Sequence, residues 1–543
     1  MSPHPLLDPS NSRALFSILG AIAGIAIHLS LFIRGEWHLQ APTVLKSHAA
    51  LFALSMFVKN GVFFASAYCI SLFTSITTYR LFFHPLTRAG FAGPTSMRMS
   101  KLVHSWKCLF TSNHLVLHDL HKRYGDFVRT GPSEITIYHP DAFLVLDGAK
   151  STCIKSEFYD VLHPNRSLIA TRAKDKHAAR RREWNRGFNK TATDSYLAKS
   201  QTHISSLLSL IRASAQSHTE ADIRDLMYWY GFDVMGDFIF NQSFGMLENQ
   251  RWHETVRLLR KGFEVLGPTA PVPWAIQIAF NCLPSVGPLR EWKEMNEWCV
   301  RTMEGRVEAS EKCETSIPDV AYFLIEKARE NGFSEEDWQW LCGDSLLAMI
   351  AGSEPTADAL LGAFYFLSKN PSHIEKIHEE LKNVDVTSVE ELAGLRHLNA
   401  VMQESLRLFH PVPTGGIRKA QAEGVVIGDT YIPPYTTLVA PRYSIFRRED
   451  VFENAEEFIP ERWYSKPVTF SSQTGYAPFG TGATSCLGRA FGLDQMRLVL
   501  AQVIQKYRFE IAPGEGKDRF MVDLMDHFTS NPGQLKLVFS ARK

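Results

Sequence analysis

Hydrophobic and polar positions divide this chain into an apolar first ninety residues and a long remainder patterned at helix and strand spacing. Ala14 to Ile33 runs twenty residues without a formal charge, enough to cross the ~30 Å hydrocarbon core of a bilayer. Gly61 to Tyr79 is a second uncharged run of nearly that length. Between them Ala49 to Val58 is apolar but bounded by Lys46 and Lys59, which leaves it short for a third crossing. A cleaved signal peptide competes for the first run. Its length, and the single basic residue Arg13 ahead of it, argue against cleavage. Arg80, Arg88, Arg98 and Lys101 follow the second run, and the positive-inside tendency puts what comes after them on the cytosolic side. The pattern predicts an anchor over 1–90 with one to three transmembrane helices, 14–33 and 61–79 foremost, and one domain over 91–543.

Beyond a hinge at Gly90 to Pro94, Asp126 to Ile137 carries two β-type runs around a Gly-Pro turn, a hairpin pattern. Most of the rest reads as helix. Ser334-Glu335-Glu336-Asp337 is a capping-box start, and about thirty mostly apolar residues follow to Leu367. A helix apolar nearly all round runs through the core. Its middle holds Ala351-Gly352-Ser353-Glu354-Pro355-Thr356. Gly and Pro there predict a kink at the least. Glu354 asks for more, because a carboxylate amid apolar surface needs a partner or a proton. Gly267 to Pro284 reads as a Pro-rich apolar loop over the core, and Gly424 to Ile432 and Thr437 to Ala440 as strands.

Charge changes the picture little: 58 Lys and Arg against 57 Asp and Glu leave a net charge of +1, which gives no reason to expect nucleic acid as a partner. Eight cysteines show neither a CxxC pair nor a zinc spacing, and they read as a reduced set. One of them has a chemical context. Phe479-Gly480-Thr481-Gly482-Ala483-Thr484-Ser485-Cys486-Leu487-Gly488 places Cys486 among three glycines, ahead of an apolar helical pattern running to Ile504. Glycines allow close backbone approach, and a thiolate near a helix start is favoured by the free N–H groups there. Such a thiolate suits a metal, haem iron included; a structural cysteine in a tight turn is the plainer alternative. Upstream, Glu404-Ser405-Leu406-Arg407 lies in a helical run from His397 to Pro411, and Phe458-Ile459-Pro460-Glu461-Arg462-Trp463 follows it. An isolated Glu-x-x-Arg would be an ordinary helix ion pair. Lys174 to Arg186 carries seven basic residues counting His177, by itself a solvated face.

Taken in order, these four motifs resemble those of the cytochrome P-450 family, the haem-thiolate monooxygenases, and the resemblance covers Tyr79 to the C-terminus. Tyr79-Arg80-Leu81-Phe82-Phe83-His84-Pro85-Leu86 is similar to the juxtamembrane segment of fungal members. The resemblance implies a mainly α (α+β) fold with a long central helix, small sheets and a buried haem b (iron protoporphyrin IX). It implies that Cys486 is the axial iron ligand, with Phe479 and Gly480 beside the sulfur, and that His177 and Arg181 hold the propionates. Glu354 matches the acid of the proton-delivering pair, with Thr356 near it. Glu404, Arg407 and Arg462 match a buried network that fixes the cysteine loop. Two positions depart: Thr484 stands where the family has Arg or His, and Pro355 where it has threonine.

The implied reaction is reductive splitting of O2 with insertion of one oxygen into an apolar small molecule, a fungal secondary metabolite being the expected substrate. Electrons are expected from NADPH through NADPH-cytochrome P-450 reductase, since the chain has no flavin or nicotinamide glycine motif of its own. The expected setting is membrane lipid, with the enzyme in the endoplasmic reticulum and its catalytic domain facing the cytosol. Two alternatives differ in class: a haem-thiolate isomerase or dehydratase that needs no external electrons, and a haem protein without turnover.

Overall fold

The computed structural model describes residues 9–312, 319–464, 473–514 and 519–542. Cys313, one of the eight cysteines, lies outside them; Cys69, Cys108, Cys153, Cys282, Cys299, Cys342 and Cys486 are all free thiols.

The N-terminal segment folds into three main helices. Pro9–Ile27, continued by a π-turn His28–Phe32, lies beside Gly61–Thr78, which a second π-turn carries on through Tyr79–Phe83. Both are long and apolar enough to cross a membrane. They run parallel: Ser12 meets Asn60, Gly20 the Phe64 backbone, Gly24 Tyr68 and Leu72, and His28 Nδ1 bonds Ser75 Oγ at 2.8 Å. Gly20 and Gly24, four apart on one face, permit this approach. A Cβ at Gly20 would lie 2.2 Å from the Phe64 carbonyl, and one at Gly24 2.1 Å from Ser71 Oγ. Small residues at that spacing are the usual way for membrane helices to pack closely. Parallel neighbours need a return path between them, and Ala41–Ser55 is that path. The apolar run read as 49–58 begins earlier because Pro42 opens a helix that takes Lys46 with it. Its 15 residues span about 22 Å.

The hairpin forms as patterned, Phe127–Gly131 against Glu134–Ile137. Glu134–Ile137 then pairs in parallel with Thr437–Val439, which pairs with Arg418–Lys419, and Ile154–Lys155 closes the edge. This five-stranded sheet joins the sequence before the basic helix Lys174–Arg186 to the sequence after the Glu-Arg helix Arg396–Leu408. The long helix Glu335–Lys369 opens on the expected capping box between Ser334 and Asp337 and passes through the main core, packed along Ile223–Phe240. The stretch expected as a loop over the core is helical instead: Glu254–Thr269 and then Pro273–Cys282, where Pro273 takes the first helical position, which has no N–H to lose. Pro273–Cys282 packs against the N-terminal helix Ala41–Ser55. The hairpin Val425–Ile427 with Thr430–Ile432 buries Ile427 and Ile432 in a smaller core with Ala142, Phe143 and Leu146.

Candidate active site

The cysteine loop is held from both sides. Cys486 N–H donates to the Phe479 carbonyl at 2.8 Å, closing the loop on itself. Gly480 and Gly482 sit at φ 67° and 63°, which side chains rarely adopt. At Gly482 a Cβ would also lie 2.1 Å from the Asp147 carbonyl. The approach to the loop is fastened by His410, whose Nε2 lies 2.9 Å from the Pro478 carbonyl, and by Tyr476, whose hydroxyl donates to the Gln403 carbonyl at 2.9 Å. Gly488 then caps the helix Arg489–Lys506. Desolvation pushes the Cys486 thiol up, while the Gly488 N–H and the charges of Arg181 and Arg489 pull the other way. Protein atoms thus crowd the thiol on the loop side, while the residue keeps an exposed face.

Behind this loop lies a saturated charge network. Glu404 and Arg407 are both fully buried. Glu404 Oε1 accepts from Arg407 Nη2 at 2.8 Å, Arg462 Nε at 2.9 Å and Ile459 N at 3.0 Å. Its Oε2 accepts from Arg407 Nε and Trp463 Nε1, each at 2.9 Å. Arg407 spends its other N–H groups on the carbonyls of Phe446, Ala455 and Glu457. Every donor a guanidinium carries is used. Trp463 in turn packs on Tyr476, ring centres 4.8 Å apart, so the network reaches the loop's approach.

Basic residues gather on one side of the loop. Arg181 Nη1 donates to the Ser485 carbonyl at 2.8 Å. His177 is buried next to it, and desolvation with the charges of Lys155, Arg181 and Arg418 lowers its pKa to about 4. Lys155 is brought down to about 7 by burial and then by Arg418. Arg418 bonds Asp147 Oδ1 at 2.5 Å and Thr484 Oγ1 at 3.3 Å. A guanidinium from the sheet therefore stands over the position where Thr484 lacks a basic side chain. Neither Arg418 nor Lys155 belongs to any motif in the sequence; only their sheet pairing brings them here. Arg180 is drawn away from the basic face: its Nε bonds Asp344 Oδ2 of the long helix at 2.6 Å.

The middle of the long helix presents two faces. Ala351 is exposed, and Gly352, Pro355 and Thr356 are half-buried, between buried neighbours. Thr356 Oγ1 comes within 4.0 Å of a Cβ position on Gly492 of the cysteine helix. Glu354, two residues and about 200° away, is buried on the other face. There Thr529 Oγ1 donates to its Oε2 at 2.7 Å. Burial raises the pKa of Glu354 against the pull of Arg260 and of that hydrogen bond. The structure thus separates Glu354 from Thr356 and gives the acid a different alcohol, from the hairpin Met525–His527 with Thr529–Asn531. Glu354 also lines a cavity of about 300 Å³ with Arg257, Arg260, Lys261, Glu264 and Asn531.

Nearly the whole chain is similar to known proteins. Residues 101–539 match the family model described as cytochrome P450. The chain is 32% identical over 552 residues to the cytochrome P450 monooxygenase notG' of Aspergillus versicolor, covering 98% of this chain and 99% of the relative. It is 31% identical over 566 residues to a tryprostatin B 6-hydroxylase of Aspergillus fumigatus, covering 100% and 99%. Among solved structures, a cyanobacterial member with bound retinoic acid superposes with a TM-score of 0.65 at 19% identity, over 78% of this chain and 93% of that one. The chain belongs to the cytochrome P450 family.

Proposed function

We propose that this protein is a membrane-anchored monooxygenase that places one atom of O2 into an apolar fungal secondary metabolite. The other oxygen atom leaves as water, with two electrons from NADPH delivered by a flavoprotein reductase and two protons. The observation that carries the reading is Cys486 itself. It is exposed in a loop fixed by backbone bonds and by a fully satisfied buried network, with Arg181, Arg418, Lys155 and the neutral imidazole of His177 gathered beside it. That donor set fits haem b: a sulfur for the iron and His177, Arg181, Lys155 and Arg418 for the two propionates. Bound there, haem supplies O2 reduction and oxygen transfer, with electron density from the thiolate favouring O–O cleavage.

The chain's own residues do the rest. Phe479 and Gly480 shape the space beside the sulfur, and Arg489 stacks 5.7 Å over the Phe479 ring to hold it. Glu404, Arg407 and Arg462 keep the loop from relaxing. Glu354, its pKa raised by burial, is the residue that passes protons inward from the cavity it lines with the exposed Arg257 and Glu264. Thr356, on the face toward the cysteine helix, orders water on the inner side.

Parallel packing of Ser12–Phe32 and Gly61–Arg88 requires the chain to return between them, so three passages through the bilayer fit best. The N-terminus then lies on the side opposite the catalytic domain, which faces the cytosol from the endoplasmic reticulum. Exposed Lys174, Lys176, Arg182 and Arg186 offer the reductase a basic face near Cys486. The reading is tested by screening fungal metabolites for spin-state shifts and then supplying isotopically labelled O2 to protein, reductase and NADPH. One label per product supports it; product formed without NADPH, or without label, rejects it.

A further inference from the structure

We propose that the loop between the first two anchor helices is a positioning element of the catalytic domain, with Glu36 clamping the turn Glu157–Leu162 and the strand Arg418–Lys419 together beside the cysteine loop. The inference rests on the reading of that loop as the reaction centre.

The clamp is a closed set of charges. Glu36 holds Arg172 bidentately, Oε2 to Nη1 at 2.7 Å and Oε1 to Nη2 at 2.8 Å, and Oε1 also accepts from Lys419 Nζ at 2.6 Å. Arg172 Nη1 reaches Asp160 Oδ2 at 2.6 Å, and His38 Nε2 lies 2.8 Å from the same oxygen. Lys419 Nζ reaches Glu157 Oε2 at 3.3 Å. Glu157 and Asp160 both belong to the turn, and Lys419–Glu157 already bonds it to the strand; Glu36 ties the two cations Arg172 and Lys419 to each other and so closes the set on both. Burial alone would raise the pKa of Glu36, but its bonds to Arg172 and Lys419 hold it down to about 2. The group is therefore ionised and engaged at any physiological pH. Arg172 and Lys419 are 18% and 12% exposed and Glu36 29%, so these pairs are partly shielded from solvent.

Each branch continues inward. On the turn, Phe158 stacks on Phe528 with ring centres 5.2 Å apart, and the next residue, Thr529, donates to Glu354. Tyr159 accepts from Arg418 Nη1 at 3.4 Å. On the strand, Arg418 adjoins Lys419 and bonds Thr484, two residues before Cys486. The anchor frames the turn from a second side as well. Pro273–Cys282, which packs on Ala41–Ser55, donates from Gln277 Nε2 to the Asp160 carbonyl at 3.0 Å. A short 3-10 turn has few backbone bonds of its own, so side-chain fastening decides how often it opens.

The test uses full-length protein in phosphatidylcholine nanodiscs, with hydrogen exchange of backbone amides as the readout. Glu36→Gln is expected to speed exchange over 157–162 and 418–420 about fivefold and to leave the long helix unchanged. Glu36→Asp, which keeps the charge on a shorter arm, should recover part of the protection. Lys419→Gln, which breaks one branch, should speed 418–420 more than 157–162. Reduced, CO-bound spectra are recorded on the same samples. Exchange within twofold of the parent in Glu36→Gln, or faster exchange spread evenly over the domain, overturns the clamp. A parent that lacks the thiolate-type spectrum overturns the functional reading instead, and the exchange result then stands by itself.

Discussion

Two buried glutamates show how differently this fold treats a carboxylate. Glu404 accepts five donors, two of them from an arginine whose remaining N–H groups are all taken by carbonyls. Glu354 is buried nearly as well but, among the described residues, accepts a hydrogen bond from Thr529 alone, with Arg260 nearby. Its neighbour along the helix face, Asp358, accepts from Tyr228 and has its pKa pushed well above the usual range by burial. A saturated charge cannot easily change state, which suits a residue that holds geometry. An under-satisfied one sits close to a proton, which suits a residue that moves protons.

The largest effect expected from this contrast comes from breaking the saturated side. Arg407→Ala or Glu404→Ala leaves an uncompensated buried charge and should cost about 3–5 kcal/mol, with loss of haem retention. Urea unfolding together with haem content measures both. If either variant keeps haem and parental stability, the network does not fix the loop. On the under-satisfied side, Glu354→Ala should fold normally yet slow turnover by about a hundredfold, the low end for general acid catalysis, with more peroxide released per NADPH consumed. Thr356→Ala should uncouple more mildly. Pro355→Ala should also worsen coupling, because the restored N–H recaptures the carbonyl that proline leaves free. Peroxide-to-product ratios rank the three, and parental coupling in all of them would make this helix a wall only.

Deleting residues 1–79 should release the protein from membranes with haem still bound, while exchange over 157–162 rises as it does in Glu36→Gln. Sedimentation in high salt decides the first part, and full pelleting of the truncated protein would move the main attachment to the catalytic domain.

The smallest effect is on stability against pH, and the two signs differ. Glu354 has a raised pKa, so the folded state keeps a proton that the unfolded chain releases. Stability tied to it is present below the usual glutamate value of ~4.3 and is lost as pH rises through the folded value. Glu36, held at about 2, behaves oppositely: its contribution is present above ~4.3 and is lost as pH falls toward 2. Thermal unfolding of Glu354→Gln should therefore gain on the parent toward neutral pH, and that of Glu36→Gln should converge with the parent toward acid. Parallel curves for both variants would contradict the contrast.

What the sequence carried and what it did not follow from the range of each signal. The capping box at Ser334, the hairpin around Gly131-Pro132 and the uncharged runs are local patterns, and they appear where periodicity put them. The Glu-x-x-Arg pair and the cysteine loop were legible because their residues sit a few positions apart. Arg418, Lys155, Thr529 and Glu36 were not. Each reaches the site across more than a hundred residues of chain or through a sheet pairing, and none has a neighbour that marks it. The Pro-rich stretch misled because proline at the first turn of a helix looks the same in sequence as proline in a loop. The separation of Glu354 from Thr356 follows from helical geometry, but the alcohol that meets Glu354 instead comes from the C-terminal hairpin and needed the fold.

Cys486 as the thiolate at the proposed reaction centre is what every other role depends on. Its most direct test is the absorption spectrum of the reduced, CO-bound full-length protein beside that of Cys486→Ser. The parent should show the red-shifted Soret band of thiolate ligation, and the variant should lose that band while keeping its far-ultraviolet circular dichroism. A variant that folds and retains the red-shifted band would contradict the account.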